Sequence, residues 1–426
     1  MIEQPMGIYL HIPFCRRKCS YCDFNSYVTD ESIRAAYVDA LATEICWWGR
    51  ALAGAADEAR TTGAARSVYV GGGTPSLLTP NQLRVLLRGC EEALGITAGA
   101  EVTIEANPES ASLAWLQDVR SLGYNRLSLG VQSFDDSLLK VLGRLHTAGD
   151  ALRCYHDARQ AGFENISLDL MFGLDGQSLD LWRRSLETAI QLGPEHISLY
   201  GLTVEEGTAL AGQVRKGTYV TADPEFAAEM YGLAEEMLAD AGYEHYELSN
   251  WARPGRQSWH NLNYWTSGPY LGCGAGAHAR LGKYRFWAVS RPRAYIAAWV
   301  PGSAGVSPAR PLVHARAGRP RSRENHRLSV NPLGLPEAAL DGWEELTPSA
   351  CVQESIMLGL RLGRGIVAAE FQRETGCRLE ELVGPTLLEL REVGLLDMAD
   401  GAIRATRRGR LLLDEILARL FAGLEG

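Results

Sequence analysis

Between Gly7 and about residue 241, short β-favouring runs alternate with amphipathic stretches, and this alternation constrains the fold more than any other feature. The strand runs read as 7–12, 67–70, 101–105, 126–131, 166–171 and 196–200. The helical patterns between and after them cover 31–52, 80–94, 113–122, 148–161, 179–192 and 224–241. Runs such as GIYLHI, SVYV and HISLY are rich in apolar and β-favouring residues, as strands covered on both faces must be. Six βα units in about 240 residues predict an α/β architecture whose parallel sheet curls into a partial (β/α)6, TIM-like barrel. A doubly wound sheet is the competing fold, but no G-x-G-x-x-G follows the first strand.

The strand ends carry the chemistry. Strand one runs into a cysteine-rich loop and strand two into Gly71-Gly72-Gly73-Thr74-Pro75. Strand three ends at Glu105, strand four at Gln132, strand five near Asp169 and strand six at Tyr200-Gly201. In parallel barrels the carboxyl ends of the strands share one face, which holds the site. Any one of these features alone is explained by a turn; six together point to one site.

Cys15, Cys19 and Cys22 place three thiols within eight residues, while the other six cysteines are scattered. That is not a disulfide framework and fits a reducing cytoplasm. Arg16, Arg17 and Lys18 are expected to favour the thiolate forms. Three thiolates on one loop suit an iron–sulfur cluster with one iron left open. A zinc site completed by a distant ligand is the alternative, although no second C-x2-C knuckle exists, and simple packing is a third.

The net charge of −9 disfavours a general grip on nucleic acid. No run approaches the roughly 20 apolar residues of a membrane helix, and residues 1–14 lack the features of a signal peptide. The expected location is therefore cytoplasmic. The segment 301–336 holds six prolines, six arginines and only one acidic residue, Glu324, and reads as a flexible insert. Beyond it, helical patterns at 349–362 and 379–393, a short hairpin and a last helix at 410–420 resemble a winged-helix module. With 10 basic and 14 acidic residues over 342–426, net −4, that module is poorly suited to DNA. The expected division is 1–245, barrel; 246–300, barrel extension; 301–341, insert; 342–426, mainly helical C-terminal domain.

C-x3-C-x2-C after a first barrel strand, joined to GGGTP after the second, resembles the radical S-adenosylmethionine (SAM) superfamily. The stretches GIYLHIPFC, YCDFNSY, GGGTPSLL, IEANPES, NRLSLGVQSF, LGRLHTA, ISLDLMFGLDGQ and HISLYGLT, with ESIMLGLR near the C-terminus, are similar in order to its coproporphyrinogen-oxidase-like branch. Within the branch, HNLNYW at 260–265 is most similar to the HemW-type haem chaperones. The oxidases carry a further cysteine where this chain has Phe24, and a long arm before the cluster where only fourteen residues precede Cys15. One departure is Asp175, where the family usually has proline.

The resemblance implies a [4Fe-4S] cluster on Cys15, Cys19 and Cys22. Its open iron would chelate SAM, beside Tyr9, Gly72, Gly73, Thr74 and Glu105. Tyr21 would lie near the adenine, and Gln132, Arg144 and Asp169 match positions that contact a second SAM in the oxidases. It further implies haem as a bound partner with His260 as ligand, Arg253 and Arg256 near the propionates, and an acceptor protein that receives the haem. From spacing alone His260 reads as a structural histidine, and Cys273 as a packing residue. The alternative function is an oxygen-independent coproporphyrinogen III oxidase that decarboxylates two propionates through a 5′-deoxyadenosyl radical.

Overall fold

A computed structural model describes residues 5–54, 64–300 and 334–424. Six strands lie side by side in parallel: β1 (Gly7–Ile12), β2 (Ala65–Gly72), β3 (Ile96–Ala106), β4 (Arg126–Gln132), β5 (Ile166–Phe172) and β6 (His196–Gly201). All six coincide with the runs read from the sequence, each extended by a few residues at most except β3. The helices between them, including Glu31–Gly54, Pro80–Ala93 and Leu179–Leu192, also match, because their starts are written in caps. Thr79 and Gln82 form a reciprocal capping box, and Ser178 and Asp223 accept from the first-turn amides of their helices.

The sheet does not stop at six strands. β7 (Glu244–Glu247), β8 (Asn250–Ala252), β9 (Tyr270–Cys273), β10 (His278–Leu281), β11 (Tyr284–Ala288) and β12 (Leu340–Glu345) extend it at both edges. The order is β12-β11-β10-β9-β1-β2-β3-β4-β5-β6-β8-β7, with β9 parallel to β1 and the outer strands antiparallel.

Strand alternation sorts the two faces. Ile8, Leu10, Val68, Val70, Ile104, Leu127, Leu129, Leu168, Leu170 and Leu199 are buried in the apolar core of the barrel wall. The intervening residues share the inner face in register: Tyr9 with Tyr69, Tyr69 with Thr103, Glu105 with Ser128, and Asp169 with Ser198. The barrel interior is thus polar. Arg126 is buried there, and its Nε has no hydrogen-bond partner among the described residues. A buried polar lining is costly unless its groups are hydrogen-bonded, and Tyr69, for one, donates to Glu105 at 2.8 Å.

A second core, including Ile356, Phe371, Leu387, Leu390, Ile403 and Ile416, belongs to the C-terminal unit. Its helices, among them Pro348–Gly359 and Leu379–Glu392, pack with a small sheet of β13 (Ile366–Val367), β14 (Leu396–Ala399) and β15 (Ala402–Ala405), ordered β13-β15-β14. Helices with a small antiparallel sheet give the expected winged-helix-like order. Arg407 and Arg410 tie it to Glu235 on the barrel, at 3.0 and 2.6 Å.

The expected boundary at 342 is corrected, because residues 340–345 form β12, the edge strand of the large sheet. The last residues of the expected insert also pack, with Leu335 and Ala339 buried against the barrel core, while 301–333 lie outside the described residues. No helix among the described residues is long and apolar enough to cross a membrane.

Candidate functional site

At the carboxyl ends of the strands lies a cavity of ≈ 360 Å³. Each of the six parallel strands delivers residues to its wall. Cys15, Cys19, Tyr21 and Cys22 come from the loop after β1, Gly72, Gly73 and Thr74 from β2, and Glu105 from β3. Gln132 and Arg144 come from β4 and the segment after it, Asp169 from β5 and Tyr200 from β6. The structure therefore brings together every expected cluster and SAM residue except Tyr9. That tyrosine lies on the barrel face below, with its hydroxyl 2.9 Å from His11 Nδ1.

The cysteine loop is held by backbone. Phe14 and Tyr27 form a parallel bridge, the Cys15 amide donates to the Tyr27 carbonyl at 3.0 Å, and the Ser20 carbonyl accepts from the Leu210 amide at 2.8 Å. Asn25 donates to the Ala275 and Ser290 carbonyls at 2.8 and 2.9 Å, anchoring the loop to the sheet extension. The glycines of β2 let the loop come close. A Cβ on Gly73 would stand 2.7 Å from the Phe14 carbonyl oxygen and 3.0 Å from Cys15 Sγ. Gly72 has φ +119° and faces the His11 ring, a backbone geometry that favours glycine.

Thr74 Oγ1 donates to Cys15 Sγ at 3.5 Å, and Arg144 reaches Cys19 Sγ at 3.9 Å. Burial pushes the Cys15 and Cys22 thiols up from their ordinary range, opposed by Thr74 at Cys15 and by the Phe24 amide at Cys22. Of the three cations expected to favour the thiolates, Lys18 does so at Cys22, where it opposes the larger effect of burial; all three are exposed.

Glu105 is the most constrained acid at the site. One oxygen accepts from the Tyr69 hydroxyl at 2.8 Å and the other from the Gly72 amide at 2.9 Å. Burial nevertheless raises it to about 7. Asp169 accepts from Ser128 at 2.9 Å and Ser167 at 3.2 Å, and burial raises it too, against the pull of Ser128. Arg144 donates to Asn107 Oδ1 at 2.7 Å and to the Gly130 carbonyl at 2.9 Å, and its Nε has no partner among the described residues. Asn107 in turn donates to Thr74 at 3.2 Å, so it links three walls of the site. Asn107 sits within IEANPES but draws no attention in the sequence, because a lone Asn beside Pro reads as a turn residue.

Phe24, 63% exposed, also lines the cavity. Asp175 donates its amide to the Tyr219 hydroxyl at 3.0 Å, a bond proline could not make. Cys273 is buried in the core at the end of β9 and lies outside the cavity lining.

His260 occupies a different place from the cluster cavity. The helix Trp259–Trp265 closes the opposite end of the barrel, where Glu101 accepts from Ser258 Oγ and from the amides of Trp259 and His260. His260 is buried, with Nδ1 2.7 Å from Ser67 Oγ and Nε2 3.1 Å from the Tyr264 hydroxyl, and its ring stacks on Tyr69. Burial, with Arg126 adding to it, drives it down to about 3. Arg253 stacks on Tyr243, and Arg256 is exposed.

Comparison with known proteins agrees with this geometry. The radical SAM superfamily pattern matches residues 9–189, and the HemN C-terminal domain matches 346–412. The chain is a radical SAM superfamily protein of the coproporphyrinogen III oxidase-like branch. It is 37% identical to the heme chaperone HemW of Mycobacterium tuberculosis H37Rv, over 99% of this chain and 96% of that one. It is 35% identical to the mitochondrial radical S-adenosyl methionine domain-containing protein 1 of Bos taurus, over 99% and 89%. Within the superfamily the chain belongs to the family of the HemW proteins. Its fold matches coproporphyrinogen III oxidase (HemN) from Escherichia coli with a TM-score of 0.74 at 22% identity, covering 98% of this chain and 90% of that one.

Gln132 adopts φ +65° where β4 shifts register against β5. Left-handed backbone costs a residue with a Cβ about 1 kcal/mol, so it is held there for its position on the cavity wall. Gln132→Gly is expected to raise unfolding stability by about 1 kcal/mol. Denaturant titration checks this, and a loss of similar size would show that the strain is not carried at this residue.

Proposed function

We propose that this chain is a haem-binding delivery protein that carries a [4Fe-4S] cluster on Cys15, Cys19 and Cys22 and binds SAM beside it. The observation that carries the reading is the convergence of three loop thiols with Gly72, Gly73, Thr74 and Glu105 on one cavity. The fit to a cluster rests on the loop itself. Gly73 leaves no room for a side chain beside Cys15, so the thiol can face the cavity. Thiols spread along a loop suit a cluster, which offers each cysteine a separate iron.

When bound and reduced, the cluster would supply the electron that splits SAM into methionine and a 5′-deoxyadenosyl radical. The chain's own residues would hold and orient SAM. Glu105 presents a carboxylate to the methionine ammonium group, and the β2 glycines expose backbone to its polar end. Tyr21 offers a ring to the adenine, and Arg144 a guanidinium suited to a carboxylate. Gln132 and Asp169 line the remaining wall, where a second SAM or the tetrapyrrole edge would lie. Haem enters through the kinship with full-length heme chaperones, and Phe24 at the mouth presents an apolar ring where the oxidases would carry a further cysteine. An acceptor protein completes the proposed cycle.

Two outcomes follow. Anaerobically reconstituted protein should show the broad visible absorbance and iron content of a cubane, and Cys19→Ala should abolish both; unchanged iron in that variant would refute the ligand set. SAM affinity should depend on pH. Glu105 is raised above the ordinary carboxylate value, so its neutral form stabilises the apo fold, and that contribution is lost as pH rises through about 7. SAM needs the ionised form. Affinity should therefore fall about tenfold per pH unit as pH drops below 7, and Glu105→Gln should flatten the profile. Equilibrium dialysis checks this, and a pH-independent wild type would remove Glu105 from the SAM site.

A further inference from the structure

We propose that Asn107 is a positioning residue: it aims the Thr74 hydroxyl and the Arg144 guanidinium at the sulfurs of Cys15 and Cys19, and so raises the reduction potential of the cluster those cysteines carry. The inference rests on the cluster reading above.

The three loop sulfurs all meet donors from the protein. Thr74 Oγ1 stands 3.5 Å from Cys15 Sγ, Arg144 Nη1 stands 3.9 Å from Cys19 Sγ, and the Phe24 amide serves Cys22. Thr74 follows β2 and Arg144 lies beyond β4, yet one side chain touches both. Asn107 Oδ1 is 2.7 Å from Arg144 Nη2, and Asn107 Nδ2 is 3.2 Å from Thr74 Oγ1.

The chemistry of these partners fixes which way the amide points. A guanidinium only donates, so the atom facing Arg144 is the carbonyl oxygen and the atom facing Thr74 is the amide nitrogen. That nitrogen also only donates. The Thr74 hydroxyl therefore accepts from Asn107 and keeps its own hydrogen for another partner, and Cys15 Sγ is the acceptor within its reach among the described residues. At the other end, Arg144 Nη2 is shared between Asn107 and the Gly130 carbonyl at 2.9 Å, which leaves Nη1 to face Cys19.

Asn107 is itself held in place. Its amide donates to Ser76 Oγ at 3.2 Å, and its carbonyl accepts from the Ser110 amide at 3.0 Å and from Ser110 Oγ at 3.1 Å. Gly130 leaves room for the side chain. A Cβ there would stand 2.9 Å from Asn107 Oδ1 and 3.4 Å from Arg144 Nη2. Fixed at both ends, Asn107 sets the direction of two donors that meet two different cysteines.

Reduction adds one electron to the cluster and makes or breaks no bond in the protein. Donors aimed at sulfur favour the more negative state, so they raise the potential.

The nearly isosteric change Asn107→Asp separates the two ends. Its carboxylate still accepts from Arg144, but toward Thr74 it accepts where the amide donated, which draws the hydroxyl hydrogen away from Cys15. A redox titration of the reconstituted full chain, read by electron paramagnetic resonance, measures the potential, with iron content and melting temperature recorded for each variant. Asn107→Asp and Thr74→Val should each lower the potential by the equivalent of about tenfold in the one-electron equilibrium constant, about 59 mV. An added charge acts with or without the hydroxyl, so on charge alone the two shifts would add. The expected result is a double variant, Asn107→Asp with Thr74→Val, whose shift is smaller than the sum. Additive shifts, or an unchanged potential in Asn107→Asp, would overturn the assignment while leaving the cluster reading intact. If Asn107→Asp assembles no cluster, Asn107→Ala replaces it: a lowered potential supports the assignment and an unchanged one overturns it. A wild type that holds no iron after reconstitution would overturn the cluster reading, and this assignment with it.

Discussion

The site depends on how closely the ends of β1 and β2 meet. Gly73 lies against the Phe14 backbone and Cys15 with no space for a Cβ, and the amide of Gly72 is fixed by Glu105 from the next strand. Those contacts set the position of the first cysteine, and the Phe14–Tyr27 bridge closes the loop that carries the other two. The glycines commonly explained by ligand approach are thus needed first for the protein's own chain crossing. Widening that junction by one methyl group would move a thiol, an acid and a backbone donor together.

The polar barrel interior follows from the same arrangement. Side chains that face inward stack in layers, from His260, Ser67 and Glu101 at the closed end through Tyr69 to Glu105 and Asp169 at the mouth. Glu101 caps the helix that seals the bottom, and a carboxylate there also complements the helix N-terminus. Burial of these groups raises Glu105 and Asp169, so the mouth holds acids whose charge responds to what binds there. The apolar wall outside them supplies the stability that a polar interior cannot.

Much of this was legible in the sequence, for identifiable reasons. The six strands and their helices showed themselves because wall-facing apolar residues and capping residues recur at fixed spacing. The strand-end residues assembled as expected because barrel topology leaves them no other place. β7 to β12 were missed because runs of three to six residues among turns give no period to read, and β12 is separated from its partner β11 by more than fifty residues of chain. His260 shows the limit most clearly. His260 and Tyr264 meet one helical turn apart, at 3.1 Å, but periodicity cannot say whether a helix face meets solvent or a barrel floor.

A haem carrier and a decarboxylase built on this fold differ in what they do to a tetrapyrrole. Reconstituted protein held anaerobically with SAM, a low-potential reductant and coproporphyrinogen III, followed by mass spectrometry of the tetrapyrrole and of 5′-deoxyadenosine, separates them most directly. A carrier with a working cluster yields 5′-deoxyadenosine and leaves the tetrapyrrole intact. Loss of two carboxyl groups as CO2 would contradict the carrier and make the protein an oxidase despite Phe24.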